Sequence, residues 1–78
     1  MDSTLYNNKQ ALIKMEHALA LNKLELERLL INLMNNKKYK LHNHHIQISK
    51  NRISIKQLEI KNAELEIQYH KEMYLKDL

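Results

Sequence analysis

The chain has 78 residues and a formal net charge of +4 at pH 7, and it contains no cysteine, glycine or proline. Without cysteine there is no disulfide, no thiolate metal ligand and no cysteine nucleophile. Without glycine or proline the chain can form few tight turns and no glycine-rich phosphate loop, so an all-α fold is predicted. A single domain of this size buries little surface alone and usually needs a partner for stability.

The first predicted helix spans residues 3–35 and has leucine at every seventh position. These residues are Leu5, Leu12, Leu19, Leu26 and Leu33. A seven-residue repeat is close to two helical turns, so the leucines form one stripe at heptad position a. Position d then holds Asn8, Met15, Asn22 and Leu29. Asparagine in such a seam weakens packing but fixes the register of the helices.

The predicted connection spans residues 36–42 and separates two helices. The step from Leu33 to Ile46 is thirteen residues, so the leucine and isoleucine series are out of phase. That break favours two helices over one continuous rod, and the length of the connection suits an antiparallel pair. The second predicted helix spans residues 43–76, with Asn43 as the expected capping residue.

The second predicted helix has two apolar stripes on nearly opposite sides, because positions two apart point in nearly opposite directions. One stripe is assigned to an oligomer interface and consists of Ile46, Ile53, Ile60, Ile67 and Tyr74. The other consists of Ile48, Ile55, Leu58, Leu65 and Tyr69. One stripe can pack on the first helix while the other remains open. We therefore expect an antiparallel two-helix hairpin, coiled-coil-like, that forms a homodimeric four-helix bundle.

An alternative fold for residues 46–69 is a small β-meander. Short pieces such as Ile46-Gln47-Ile48 alternate apolar and polar residues as strands do. Most of these pieces are only three residues long, however, and the candidate turns contain no glycine. From Leu58 onward the residues are good helix formers, so the helix is favoured.

Basic charge is concentrated around the predicted connection, since no acidic residue occurs between Glu27 and Glu59. A hairpin brings this charge together at its turn end, where it would attract an acidic protein surface or phosphates. The predicted partner-binding residues are Lys37, Lys38, Lys40, Lys50 and Arg52. Only Tyr39 offers an aromatic platform in this region, so specific recognition of nucleic acid is the weaker interpretation.

Three histidines lie close together at the end of the connection, at His42, His44 and His45. Adjacent residues diverge on a helix, and no carboxylate or thiol lies near enough in sequence to complete a metal site. We therefore expect no metal, no cofactor and no catalytic residues. A helix pair also lacks a concave pocket in which a nucleophile and a base could be desolvated.

The sequence thus predicts a small non-enzymatic interaction module, an adaptor, regulator or inhibitor that binds itself and a larger protein with an acidic or apolar surface. The alternative is a small nucleic-acid-associated protein that uses the same basic residues on phosphates. No membrane span is expected, because charged residues interrupt the apolar stretch from Leu19 to Met34. The absence of cysteine is compatible with a cytoplasmic location.

Overall fold

The computed structural model of the chain describes residues 3–38 and 42–75. Helix α1 spans Ser3–Lys38 and helix α2 spans Asn43–Tyr74. The two helices pack side by side as an antiparallel hairpin measuring 60 × 15 × 14 Å. The predicted all-α hairpin is therefore confirmed, and residues 46–69 are helical rather than a β-meander.

The ends of the helices differ from the prediction in three details, the first being that α2 ends at Tyr74, with Leu75 as its C-cap, rather than at residue 76. Helix α1 continues through Asn36 to Lys38, so its last turn contains Lys37 and Lys38, which suit the negative end of the helix dipole. The N-cap of α2 is His42, whose Nδ1 accepts a hydrogen bond from the backbone N–H of His44 at 3.2 Å. Asn43 is instead the first residue of the helix, so the capping residue lies one position before the predicted one.

The packed interface between α1 and α2, here called the inner seam, follows the heptad pattern of both helices. On α2 its centre is formed by Ile53, Ile60 and Ile67, which are 7%, 9% and 7% exposed. On α1 every predicted a and d position is half-buried, and none is fully buried. The leucine stripe therefore packs where the sequence indicates, but a two-helix seam covers only one side of each helix.

Polar side chains bridge the inner seam at three heights along the hairpin. These are the places where the heptad pattern of α1 has asparagine. The bonds are Asn36 Nδ2 to Ser49 Oγ at 3.1 Å, Lys56 Nζ to Asn22 Oδ1 at 3.5 Å, and His70 Nε2 to the Asn8 carbonyl oxygen at 2.8 Å. Sliding one helix along the other would break all three bonds together, so they oppose a shift in register.

Candidate protein-interaction surfaces

The residues assigned to the oligomer interface line the inner seam of the single chain. Ile53, Ile60 and Ile67 are buried and Ile46 is half-buried, whereas Tyr74 is 52% exposed with its ring 5.0 Å from that of His70. In the folded hairpin these isoleucines already have α1 as their neighbour. Their use between two copies of the chain stays a prediction, and the apolar surface open to another molecule lies elsewhere.

The second apolar stripe of α2, here called the outer stripe, lies on the side away from α1 and is exposed along its length. Its residues are Ile48 (47% exposed), Ile55 (56%), Leu58 (62%), Leu65 (56%) and Tyr69 (58%). Single exposed apolar side chains are common on proteins and need no explanation. A continuous row of them along a helix is different, because such rows usually mark an interaction surface.

Helix α1 also exposes large apolar side chains, although they are less regularly spaced. Tyr6, Ile13, Leu24, Ile31 and Met34 are each more than half exposed. A shallow groove of about 430 Å³ runs over the middle of α1 between apolar and charged side chains. It is lined by Leu21, Leu24, Glu25, Arg28 and Leu29. Both helices therefore have apolar surface that the hairpin itself does not use.

The end of the hairpin at which the chain reverses is basic. Lys37, Lys38, Lys50 and Arg52 are all exposed there, as predicted from the sequence, and Lys40 lies outside the described residues. These four side chains are here called the basic end. They come from the last turn of α1 and the first turns of α2, so the antiparallel fold brings them together from two separate stretches of sequence.

A second open groove of about 430 Å³ lies beside the basic end. Its walls combine an apolar floor with amide, imidazole and guanidinium groups. The lining residues are Leu29, Asn32, Asn36, His45, Ile48, Ser49 and Arg52. No acidic side chain lines this groove, so its polar rim suits a carboxylate or another acidic group of a binding partner.

Lys56 belongs to the basic stretch of the sequence but does not contribute to the basic end. Its Nζ lies 2.8 Å from Glu59, 3.1 Å from Glu25 and 3.5 Å from Asn22 Oδ1, and its side chain is only 13% exposed. The hydrogen bonds to Glu59 and then to Glu25 raise the pKa of Lys56 above its usual 10.5, against a smaller opposing effect of desolvation. The spacing of three between Lys56 and Glu59 signals this pair in the sequence, whereas the contribution of Glu25 requires the fold.

Within residues 3–38 and 42–75 there is no group of three or more histidine, aspartate or glutamate side chains that could hold a metal ion. The rings of His42 and His44 are 4.7 Å apart and tilted against each other. Neither described helix has a run both long enough and apolar enough to cross a bilayer.

Comparison of the chain with protein-family models, with curated proteins and with solved structures found no match. Its function is therefore inferred from its own surfaces.

Proposed function

We propose that this chain is a small non-enzymatic interaction protein, an adaptor, regulator or inhibitor, that self-associates through helix faces and docks on a larger protein. The supporting observation is the imbalance between buried and exposed apolar side chains. Among the described residues only three isoleucines are buried, at 7–9% exposure, whereas fourteen large apolar side chains are at least 40% exposed. A helix pair with this distribution leaves a large part of its apolar surface available for binding.

The exposed apolar surface supplies a driving force for docking. Complete burial of one leucine or isoleucine side chain is worth about 1.5–3 kcal/mol before the costs of association are subtracted. Burial of four or five such side chains from one helix face is enough to support a specific complex. A second copy of the chain would bring two more helices and complete a four-helix assembly.

The basic end supplies a means of orienting the approach of a partner. Lys37, Lys38, Lys50 and Arg52 project from one end of a 60 Å rod, so the electrostatic field of the molecule is asymmetric along its length. Such a field accelerates encounter with an acidic surface and aligns the rod before apolar contacts form. The proposed partner accordingly combines an apolar groove with a nearby acidic patch.

The non-enzymatic part of the proposal is supported by the shape and chemistry of the two grooves. Both are open to solvent, and catalysis generally needs a pocket that excludes water. Ser49 Oγ, the hydroxyl in the groove beside the basic end, accepts a hydrogen bond from the Asn36 amide. Its bonding partner is therefore an amide rather than a general base.

The basic end also supports a second candidate function, the binding of nucleic acid through phosphates. Its lysines and arginine lie in a stretch without acidic residues, and three histidines adjoin it. Phosphate contacts release counterions, so such binding weakens steeply with added salt. Apolar docking responds little to salt, which separates the two candidate functions.

The deciding experiment is capture of partners by the tagged chain from a lysate of the source cells, with and without nuclease, at low and high salt. We expect one larger protein to remain bound at high salt whether or not nuclease is present. Recovery of nucleic acid at low salt and its loss at high salt would instead establish the second candidate function.

A charge-reversal variant then tests the basic end. Changing Lys37, Lys38 and Lys40 to Glu should leave the helix content intact and slow association with the captured protein about tenfold or more at low salt. The matched control changes Lys9, Lys14 and Lys61 to Glu, which alters the net charge equally but away from the basic end. Equal rates for the two triple variants would remove the basic end from the binding mechanism.

A further inference from the structure

The outer stripe has the spacing of a second coiled-coil seam. Two exposed asparagines lie between its apolar residues. With them included, the spacing between successive positions alternates between three and four residues, as it does at heptad positions a and d. The central part of the series is Ile48, Asn51, Ile55, Leu58, Asn62 and Leu65. This seam lies on the side of α2 away from the inner seam, so α1 does not obstruct access to it. One long helix can pack along it by knobs-into-holes contacts.

The stripe is complementary to itself when a second copy runs in the opposite direction. If Ile55 lies opposite Leu58 of the second copy, a two-fold axis passes between these two positions. The same register then places Ile48 opposite Leu65, and Asn51 opposite Asn62. These central layers pair an apolar side chain with an apolar one, or an amide with an amide, and at each end Tyr69 lies opposite His44 of the second copy.

The charges beside the outer stripe favour the same arrangement. The antiparallel register brings Arg52 next to Glu66 of the second copy. It also brings Glu59 near Glu59 of the second copy, but this carboxylate already has Lys56 Nζ at 2.8 Å as a partner. Within the described residues neither Arg52 nor Glu66 has an ion-pair partner. A parallel alignment would instead place Arg52 beside Gln47 and Glu66 beside Lys61 of the second copy, so only the antiparallel register gives Arg52 a carboxylate partner.

We propose that the outer stripe is the contact between two copies of this chain, with α2 packed against an antiparallel α2 and Arg52 paired with Glu66 of the second copy. The inference rests on the self-association in the proposed function and adds the face, direction and register of the contact. The two α1 helices then lie on the outside of a layer of four helices. Lys37, Lys38 and Lys50 of each basic end remain accessible, at opposite ends of the assembly, whereas Arg52 is used in the contact.

The first test is the solution mass of the full chain and of two variants. The unmodified chain should have twice its 9.4 kDa mass by light scattering at tens of micromolar. Leu58→Asp should have the mass of one chain with its helical circular dichroism retained, because Leu58 is 62% exposed in the hairpin. Ile31→Asp is the matched control on α1, where Ile31 is 57% exposed, and it should remain a dimer.

The second test measures the direction of pairing. The chain lacks cysteine, so a nitroxide label can be attached to a single introduced cysteine. At a rise of 1.5 Å per residue, labels on Ser54→Cys should lie about 8 Å apart along the dimer axis, and labels on Gln68→Cys about 35 Å apart. Parallel pairing would give short separations at both positions.

The third test is a charge exchange. Arg52→Glu should weaken dimerisation at low salt at least tenfold, and adding Glu66→Arg in the same chain should restore it. Lys14→Glu makes the same change in net charge at an exposed position of α1, away from the outer stripe, and it should leave the dimer unaffected.

A single-chain mass for the unmodified protein would overturn the proposed dimer, as would a dimer that survives Leu58→Asp. Short distances from both nitroxide positions would overturn the antiparallel register. A single-chain mass would also remove self-association from the proposed function. Survival of the dimer in Leu58→Asp, or a parallel register, would overturn this inference alone, and capture of a larger protein by the tagged chain tests the docking part of the proposed function separately.

Discussion

The inner seam and the outer stripe lie on two sides of the same helix and are built from similar residues, yet their environments differ sharply. Ile60 on the inner seam is 9% exposed, while Leu58, two positions earlier, is 62% exposed. The side chains are both large aliphatics, so the difference comes entirely from the presence of α1 on one side. An apolar stripe therefore indicates that a neighbour is needed without indicating which molecule supplies it.

The strongest test of this contrast places the same charge on each side of α2. Ile60→Asp should cost about 3–5 kcal/mol or more, because a carboxylate cannot be solvated in the inner seam, and should abolish the helical circular dichroism. Leu58→Asp should leave the helix signal intact, since its carboxylate remains in water. A folded Ile60→Asp chain would contradict the assignment of the inner seam as the core of the hairpin.

A smaller effect is expected at Lys56, the charged side chain that the inner seam accommodates. Its raised pKa means that the folded state binds the proton more tightly than the unfolded state does. The corresponding stability is fully present below the usual lysine pKa of 10.5 and is lost as the pH rises through the higher value in the folded protein. Urea titrations between pH 8 and about pH 12 should show this decline.

The control for this pH dependence is a pair of substitutions at two lysines. In Lys56→Met the free energy of unfolding should fall less steeply with rising pH than in the unmodified chain. In Lys50→Met, on the exposed flank, it should fall as steeply as in the unmodified chain. An identical pH profile for Lys56→Met and the unmodified chain would show that the carboxylates do not stabilise the charged amine.

Each hydrogen bond across the inner seam should contribute still less to the free energy of unfolding than Lys56 does. Asn36→Ala removes the donor to Ser49 Oγ and should cost about 0.5–1.5 kcal/mol in thermal or urea unfolding. Asn35→Ala on the exposed surface of the same turn is the control and should change stability by less than about 0.5 kcal/mol. Equal effects would mean that helix propensity rather than the cross-helix bond explains the loss.

The smallest effect is expected for the exposed ion pair between Lys23 and Glu64. Their charged atoms are 3.7 Å apart, and both side chains are more than half exposed. Water and salt screen such a pair, so Lys23→Ala should change the free energy of unfolding by less than about 1 kcal/mol. If Lys23→Ala lowered the free energy of unfolding by more than this in 0.5 M salt, the exposed ion pair would contribute more to stability than screening allows.

The sequence predicted the two helices and the packing stripe of α1, because heptad spacing is a local property. The leucines of α1 and the isoleucines from Ile46 to Ile67 face one another as that spacing requires. The choice between the two stripes of α2 could not be made in this way, because both satisfy the same spacing. Which stripe faces α1 depends on how α2 is rotated about its own axis after the chain reverses, and heptad spacing does not specify that rotation.

The charge pattern was predictive only in part for the same reason. Lys37, Lys38, Lys50 and Arg52 are exposed at one end, as the gap in acidic residues indicates. Lys56 lies in the same gap but is paired with Glu25, 31 positions earlier in the sequence. A charge that is compensated across two helices cannot be recognised from its neighbours in sequence alone.

The bond between His70 and the Asn8 carbonyl lies near the open end of the hairpin, farthest from the connection. Free helix ends unwind more readily than helix centres, and they do so independently when nothing joins them. Here the first turns of one helix and the last turns of the other share a hydrogen bond across 62 positions of sequence. Their amide hydrogens should therefore exchange with solvent at matched rates, as one cooperative unit that opens and closes together.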